Sequence, residues 1–183
     1  MTLKLHFGCG DRFIRLPGWV NVDVRPDLRP DVVEDLRNPV TWACGSVDLI
    51  YACHVLEHFR RDETVAVLKR WRALLKPGGV LRLSVPDLRA CMLHYIEHGD
   101  AHALQSLLVG DGKHPVSHHY WVFDDKLLRS TLADAGFNWY RIKEWDWRTT
   151  EHAGVDDHSQ AYLPHMKKDT GRLMSLNLKA VNE

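Results

Sequence analysis

Short apolar runs separated by polar turns fill the first half of the chain and predict the strands of a sheet. Residues 47–52 are almost continuously apolar, which is typical of a strand covered on both faces. In residues 19–24, two valines alternate with Asn21 and Asp23, as expected for a strand. The same reasoning predicts further strands at residues 3–7, 31–34, 80–85, 139–145 and 173–181.

Apolar residues at helical spacing predict helices between the later strands. Residues 62–75 place their apolar side chains on one face, and the following Lys-Pro-Gly-Gly sequence ends the helix. Asp124 is a suitable N-cap for a helix over residues 124–135 that stops at Gly136. Helices are also expected at residues 88–98 and 101–108, and a loop at residues 113–121.

The order of these elements predicts the architecture. Strands that alternate with helices indicate an α/β fold with a mostly parallel sheet and right-handed crossover connections. A length of 183 residues suits one core, so we expect a single domain, residues 1–183, with seven strands and helices on both faces. No clear helix separates the last two predicted strands, which indicates an antiparallel hairpin at the edge of the sheet.

The composition narrows the classes of function. The formal net charge is zero, whereas proteins that bind nucleic acids usually present a basic field, so no nucleic-acid partner is expected. No apolar run approaches the roughly 18 residues of a membrane span, so no membrane association is expected. The first predicted strand begins too early to leave room for a signal peptide, and the four cysteines form no Cys-x-x-Cys pair. We therefore expect a cytoplasmic protein with reduced thiols.

Short patterns at the ends of the predicted strands indicate a ligand site. The first strand ends in Gly8-Cys9-Gly10, and such glycines allow a tight turn and a close approach of the backbone to a ligand, although the turn also occurs without one. Asp23 ends the second strand, where its carboxylate can accept two hydrogen bonds from the diol of a ribose. Asp35 follows the third strand, at a place where an adenine amino group could be met.

Five motifs in order resemble those of class I S-adenosylmethionine-dependent methyltransferases, which have a Rossmann-like sheet. They are Phe7-Gly8-Cys9-Gly10, Val22-Asp23, Glu34-Asp35-Leu36, Asp48-Leu49-Ile50 with His54-Val55-Leu56-Glu57-His58, and Leu75-Lys76-Pro77-Gly78-Gly79. The segment Leu16-Pro17-Gly18-Trp19-Val20-Asn21-Val22-Asp23 is similar to one found in a group of small bacterial methyltransferases. The resemblance makes residues 1–86 the cofactor half of the chain. It implies S-adenosylmethionine as cofactor and S-adenosylhomocysteine as product.

The resemblance also implies roles for the matching residues. The glycine turn would line the methionine part of the cofactor, Asp23 would bind the ribose, and Asp35 would lie beside the adenine. The residues after the fourth strand would close the site. The implied cofactor-binding residues are Phe7, Gly8, Cys9, Gly10, Asp23, Val24, Asp35, Leu36, Ala52, Cys53 and His54.

The glycine turn departs from the pattern that binds dinucleotides. That pattern, Gly-x-Gly-x-x-Gly at the start of a helix, holds a pyrophosphate, and Phe13 stands here in place of its third glycine. S-adenosylmethionine has no phosphate and does not need this device, so a nicotinamide cofactor is not expected. His6 stands where the resembling family usually has an acidic residue.

Histidines supply the candidates for a general base, because an unperturbed imidazole titrates near neutral pH. His54 and His58 follow the fourth strand, beside the implied cofactor site. His118 and His119 lie in a long segment that leaves the same edge of the sheet. We take His58, His118 and His119 as candidate catalytic residues, although a single histidine is more often a surface or hydrogen-bonding residue.

Two long excursions of the chain are expected to cap the acceptor pocket, residues 87–123 and residues 147–171. Long irregular segments inside a compact domain are more often functional than accidental. The second excursion carries His152, His158 and His165, a spacing that raises the question of a metal. No pair of histidines shows a known ligand spacing with nearby acids, so no metal is predicted.

These patterns predict transfer of a methyl group to a small-molecule or saccharide acceptor, preferentially at oxygen, by in-line displacement with a histidine as general base. Nucleic-acid methylation is the alternative. Amino methylases of bases typically carry an Asn/Asp-Pro-Pro-aromatic motif after the fourth strand, where this chain has Ala52-Cys53-His54-Val55. A cofactor-binding module without catalysis and another use of the same cofactor, such as aminopropyl transfer, stay open. The predicted edge strand would permit a monomer or a homodimer.

Overall fold

A seven-stranded sheet forms the centre of the chain in the computed structural model, which describes residues 2–11 and 14–183. The strands in chain order are β1 (Lys4–Phe7), β2 (Val20–Asp23), β3 (Val32–Val33), β4 (Val47–Cys53), β5 (Leu75–Pro86), β6 (Lys143–Glu144), β7 (Tyr162–Leu163), β8 (Arg172–Leu173) and β9 (Ser175–Val181). The order across the sheet is β3-β2-β1-β4-β5-β9-β6, and β7 and β8 pair separately.

The direction of the strands confirms the predicted fold class. Strands β1 to β5 run parallel to one another, whereas β9 is antiparallel to both β5 and β6. The predicted antiparallel pair at the edge is therefore β9 with β6. Because β9 reverses direction between them, β6 runs parallel to β5, and the chain leaves β6 at the carboxyl edge of the sheet.

In the part of the chain that the structure describes, four α-helices accompany the sheet, α1 (Thr64–Leu74), α2 (Leu88–His98), α3 (Gln105–Val109) and α4 (Asp125–Asp134). Helices α1 and α4 pack together over one face, where Leu68 and Trp71 of α1 are fully buried. The side chain of Asp124 accepts a hydrogen bond of 2.7 Å from the amide of Leu127, so the predicted N-cap of α4 is confirmed.

The other face of the sheet is covered by short 3-10 helices and turns from a later part of the chain. Side chains alternate along β4, so that Tyr51 and Cys53 face away from α1. Tyr51 packs against Trp145 and His152, and its hydroxyl donates a hydrogen bond of 2.6 Å to Asp157. The described part of the β1–β2 connection contains no α-helix, so residues 145–160 bury this face instead. The residue Phe13 lies outside the described residues.

Two predicted elements differ from the structure. Residues 139–145 were expected to form a strand, but Trp139–Arg141 is a 3-10 helix capped by the side chain of Asn138, which leaves only the two residues of β6. The expected helix over residues 101–108 divides into the 3-10 helix His102–Leu104 and α3. At residues 139–141 the cap by Asn138 favours a local turn over the longer strand, whereas residues 102–109 are helical without a break, as predicted in kind.

The parallel strands bring the candidate residues to one edge of the sheet. Strands β1, β2, β4 and β5 end near the glycine turn, Asp23, His54 and Asp87, respectively, and parallel neighbours end at the same edge. Among the described residues, no helix combines the length and the apolar character that a membrane span requires.

Candidate active site at the carboxyl edge of the sheet

The tips of β1 and β2 are joined through Asp23. The amide of Gly10 donates a hydrogen bond of 2.9 Å to Oδ2 of Asp23, and the amide of Arg25 donates one of 3.0 Å to Oδ1. Gly8 and Gly10 adopt left-handed conformations, with φ of +64° and +57°, which glycine adopts without the steric cost of a β-carbon. The buried carboxylate therefore fixes the shape of the glycine turn.

The end of β4 packs against the same turn. A β-carbon on Gly8 would lie 2.3 Å from Cγ2 of Val55, so the backbone and the valine are in direct contact. Phe7 and Ala52 are neighbours in the register of β1 and β4. Three of the implied cofactor-binding residues, Phe7, Gly8 and Ala52, thus lie side by side.

The chemistry of this edge fits an adenosyl group. Each carboxylate oxygen of Asp23 accepts one backbone hydrogen bond and has a second acceptor position for a ribose hydroxyl. Nε of Arg25 lies 3.7 Å from Oδ1, so a ligand at that oxygen would share it with this side chain. Burial raises the pKa of the Cys9 thiol to about 11, so this side chain is neutral at pH 7. The turn then presents backbone groups and one carboxylate, which suits a ligand that carries hydroxyls and a positive charge.

The residues expected beside the adenine lie next to this site but are engaged in protein contacts. The carboxylate of Asp35 is exposed and lies 3.3 Å from Arg37, and it also accepts a hydrogen bond of 2.9 Å from the amide of Arg37. Leu36 is buried, and its carbonyl accepts a hydrogen bond of 2.8 Å from Nε1 of Trp71. Val24 is exposed. A ligand at Asp35 would have to compete with Arg37 for the carboxylate.

The backbone turns sharply after β4 at His54. This residue has φ of +51°, a conformation that is uncommon outside glycine and concentrates at functional sites. Its Nε2 lies 3.0 Å from Oγ of Ser175, and its ring stacks on His158 at 5.1 Å. Burial lowers the pKa of His54 well below its usual value and raises that of Cys53, so both side chains are neutral at pH 7.

Two of the three candidate catalytic histidines meet beyond this turn. The ring centres of His58 and His119 lie 4.7 Å apart. Nδ1 of His58 is 3.0 Å from the carbonyl of His118, and Nδ1 of His119 is 3.0 Å from the carbonyl of Leu107. Since a carbonyl only accepts, each Nδ1 carries the proton and each Nε2 keeps a free lone pair.

Burial also keeps this histidine pair uncharged at neutral pH. It lowers the pKa of His58 below its usual value and that of His119 to about 4. Hydrogen bonds of His58 to backbone groups of His118 and His54, and of His119 to that of Leu107, act in the opposite direction but do not cancel the effect of burial. Both imidazoles are therefore available as bases or as metal ligands at pH 7.

The third candidate, His118, has a different environment. Its side chain is exposed and its ring packs against Tyr120 at 4.8 Å. Only its backbone carbonyl contacts the histidine pair, through the hydrogen bond to His58. The structure thus brings His58 and His119 together and turns the ring of His118 toward Tyr120.

Glu57 lies inside the same cluster and was not among the predicted site residues. Its side chain is 0% exposed, and neither carboxylate oxygen forms a hydrogen bond with another described residue. Oε1 lies 3.6 Å from Nδ1 of His54. Burial raises the pKa of Glu57 to about 8. An acid between two histidines in His54-x-x-Glu57-His58 was visible in the sequence, but its burial was not.

The comparisons with known proteins agree with this arrangement. A family model described as a methyltransferase domain matches residues 7–142, which include the glycine turn, Asp23 and the histidine pair. No curated protein matches the chain.

Solved structures of methyltransferases share the fold. An S-adenosylmethionine-dependent methyltransferase from Thermotoga maritima aligns with a TM-score of 0.64 at 13% identity, covering 100% of this chain and 83% of that one. One from Archaeoglobus fulgidus aligns with a TM-score of 0.58 at 15% identity, covering 98% and 86%.

A third similar structure contains a cofactor product. It is the 1,6-didemethyltoxoflavin-N1-methyltransferase of Burkholderia thailandensis with bound 1,6-didemethyltoxoflavin and S-adenosylhomocysteine, with a TM-score of 0.54 at 16% identity, covering 98% of this chain and 70% of that one. At these identities the likeness concerns the fold, whereas the family model matches most of the sequence itself. The chain belongs to the methyltransferase-domain family, and its fold is the one found in class I S-adenosylmethionine-dependent methyltransferases.

Proposed function

We propose that the chain transfers the methyl group of S-adenosylmethionine to an oxygen atom of a small-molecule or saccharide acceptor, and that a histidine of the pair His58 and His119 removes the acceptor's proton. The observation that carries the proposal is the pair of Nε2 lone pairs at the edge of the sheet where the cofactor residues end. An alcohol needs such a base because its proton leaves as the new bond to carbon forms.

The cofactor residues are proposed to be those of the two joined strand tips. Gly8 to Gly10 would accommodate the methionine part and Asp23 the ribose, supported by the fixed turn and the buried carboxylate. When bound, S-adenosylmethionine supplies a methyl group on a positively charged sulfur, whose departure needs no acid. The protein's main contribution is then to hold the acceptor oxygen about 3 Å from the methyl carbon, in line with the bond between that carbon and the sulfur.

Of the pair, His58 is the better candidate for the base. It lies at the end of the 3-10 helix Leu56–His58, directly after the β4 turn, and is therefore nearer in the chain than His119 to the implied cofactor residues Ala52, Cys53 and His54. His119 has a pKa of about 4, which makes its imidazole a weaker base.

The acceptor is proposed to bind under residues 87–123 and 147–171. The support is that each segment contributes to the site: His119 of the first contacts His58, and His158 of the second stacks on His54. The protein is proposed to act in the cytoplasm, since its four cysteines are free thiols.

The test is release of S-adenosylhomocysteine in the presence of hydroxylated small molecules and saccharides, with DNA and RNA as further acceptors. We expect turnover with a hydroxylated acceptor, and a His58→Asn variant that loses at least about tenfold in kcat while its affinity for S-adenosylhomocysteine is unchanged. Turnover with nucleic acid alone would overturn the proposed acceptor, and full activity of His58→Asn would overturn the proposed base.

A further inference from the structure

The geometry points to a divalent metal site formed by the carboxylate of Glu57 and the Nε2 atoms of His58 and His119. One ligand atom from each residue lies within 4.8 Å of the other two. Ligand atoms around a tetrahedral zinc ion stand about 3.3–3.5 Å apart, for bonds of about 2.0–2.2 Å. Modest rotations of the three side chains would bring their ligand atoms from up to 4.8 Å apart to the separation around a zinc ion.

The orientation of both histidines is the one that metal ligands require. A metal-bound histidine usually donates its second ring N–H to a carbonyl or carboxylate, which fixes the ring and leaves the other nitrogen for the ion. His58 and His119 each donate Nδ1–H to a backbone carbonyl at 3.0 Å. Their Nε2 atoms therefore have the correct protonation state before any ion binds.

The buried carboxylate of Glu57 supports the site independently of the two histidines. A fully buried carboxyl group with no hydrogen bond to another described residue is unfavourable, since burial removes its hydration and no neighbouring side chain replaces it. The nearest imidazole is that of His54, whose Nδ1 lies 3.6 Å from Oε1 of Glu57, beyond hydrogen-bond distance. A cation bound by the two Nε2 atoms would supply the missing charge and keep Glu57 ionised.

The ligand set indicates the class of metal. Two imidazoles and one carboxylate suit Zn²⁺, and also Mn²⁺, Fe²⁺ or Co²⁺, whereas Ca²⁺ and Mg²⁺ prefer oxygen ligands only. Three protein ligands leave at least one coordination position open, which is the arrangement of a catalytic rather than a structural site.

The open position gives the metal a chemical role that rests on the proposed function. An acceptor hydroxyl bound to the ion would release its proton to solvent water more readily, and His58 would then act on the acceptor as a ligand of the ion instead of accepting the proton itself. The acceptor class and the cofactor residues would stay the same. This site departs from the prediction, made from the sequence, that the chain holds no metal.

Metal content tests the site without any acceptor. The purified full chain is incubated with Zn²⁺, desalted, and analysed by inductively coupled plasma mass spectrometry. We expect about one tightly bound ion per chain, and at least about tenfold weaker binding in Glu57→Gln and in His119→Asn. His118→Ala is the matched control, because its ring packs on Tyr120 and its backbone carbonyl is retained, and it should bind like the wild type.

A second measurement needs no variant. Titration of the wild-type chain with Co²⁺ should give the visible absorption bands of a four- or five-coordinate nitrogen- and oxygen-bound ion, saturating at about one equivalent. No bands, or equal Zn²⁺ binding by wild type and Glu57→Gln, would overturn the site. Metal bound at the site together with no turnover on any hydroxylated acceptor would instead contradict the proposed function alone.

Discussion

The amide nitrogen of Gly10 lies 2.9 Å from Oδ2 of Asp23, so the turn after β1 is held by the last residue of β2. One carboxylate thus shapes the backbone and faces the place proposed for the ribose. Substitutions of Asp23 consequently act on the fold and on cofactor binding at the same time, and the two effects have to be measured separately.

We predict that Asp23→Ala abolishes measurable binding of S-adenosylhomocysteine and lowers the free energy of unfolding by roughly 1–3 kcal/mol, because the amides of Gly10 and Arg25 lose their acceptor. Calorimetry measures the first effect and urea unfolding the second. Asp27→Ala, on the exposed 3-10 helix Pro26–Leu28, is the control and should change neither quantity appreciably. Unchanged affinity in Asp23→Ala would contradict the assigned ribose site.

Gly8 provides a second prediction, about the contact between the turn and Val55. In Gly8→Ala the new β-carbon would lie 2.3 Å from the valine and would also require φ of +64°. Gly45→Ala separates these effects, since Gly45 has φ of +67° and no atom within 4 Å of the position of a β-carbon. We expect urea unfolding to show a loss of about 1 kcal/mol for Gly45→Ala and a clearly larger loss for Gly8→Ala. Equal losses in the free energy of unfolding would show that the contact with Val55 adds no destabilisation.

His6 provides a prediction about pH. Its buried imidazole stacks on Tyr51, and burial lowers its pKa from 6.5 to about 4. Between these values the unfolded chain binds a proton that the folded chain does not, so stability falls as the pH falls from 6.5 to 4. The full contribution is roughly 3 kcal/mol by the usual linkage relation.

The measurement is the free energy of unfolding in urea at several pH values across this window. His6→Gln has no group that titrates there, and we expect its stability to depend less steeply on pH than that of the wild type. Parallel curves for the two proteins would show that the pKa of His6 is the same in the folded and unfolded chain, which contradicts the effect of burial.

Tyr51 provides a prediction about the segment that covers the second face. Its hydroxyl donates a hydrogen bond of 2.6 Å to the buried carboxylate of Asp157, and Tyr51→Phe would leave that carboxylate oxygen without this donor. We expect the free energy of unfolding to fall by about 1–3 kcal/mol and limited proteolysis at Lys167 and Lys168 to become faster.

A related prediction concerns the wild-type chain. Cofactor should slow cleavage at these lysines and in residues 110–120 if these segments cap the acceptor pocket. Identical cleavage patterns with and without cofactor would count against the cap.

The cofactor edge could be predicted from the sequence because its determinants are local. Alternating or continuous apolar runs define the parallel strands, and parallel strands end at one edge, so Gly8 and Asp23 had to be neighbours once their strands were assigned. The pairing of His58 with His119 was partly predictable for the same reason, since both segments leave that edge.

Burial of Glu57 and the covering of the second face were not predictable in this way. Whether a glutamate in a His-rich turn faces water depends on where residues 107–120, far along the chain, pack against it. Tyr51 and Cys53 look like part of a strand buried on both faces, but the sequence does not show that residues 145–160 bury them. Both facts arise from long-range packing, which leaves no periodic pattern.

Residues 145–160 therefore have two roles. They cover Tyr51, and their last turn also places His158 against His54. An attempt to alter acceptor preference by exchanging all of residues 147–171 would expose the face of the sheet that carries Tyr51 and would unfold the chain. The hairpin of β7 and β8 suggests a safer boundary. Exchanging only residues 164–171, inside that hairpin, would retain the contacts of Tyr51 and would remove those of Lys168 with Gln160 and Trp147.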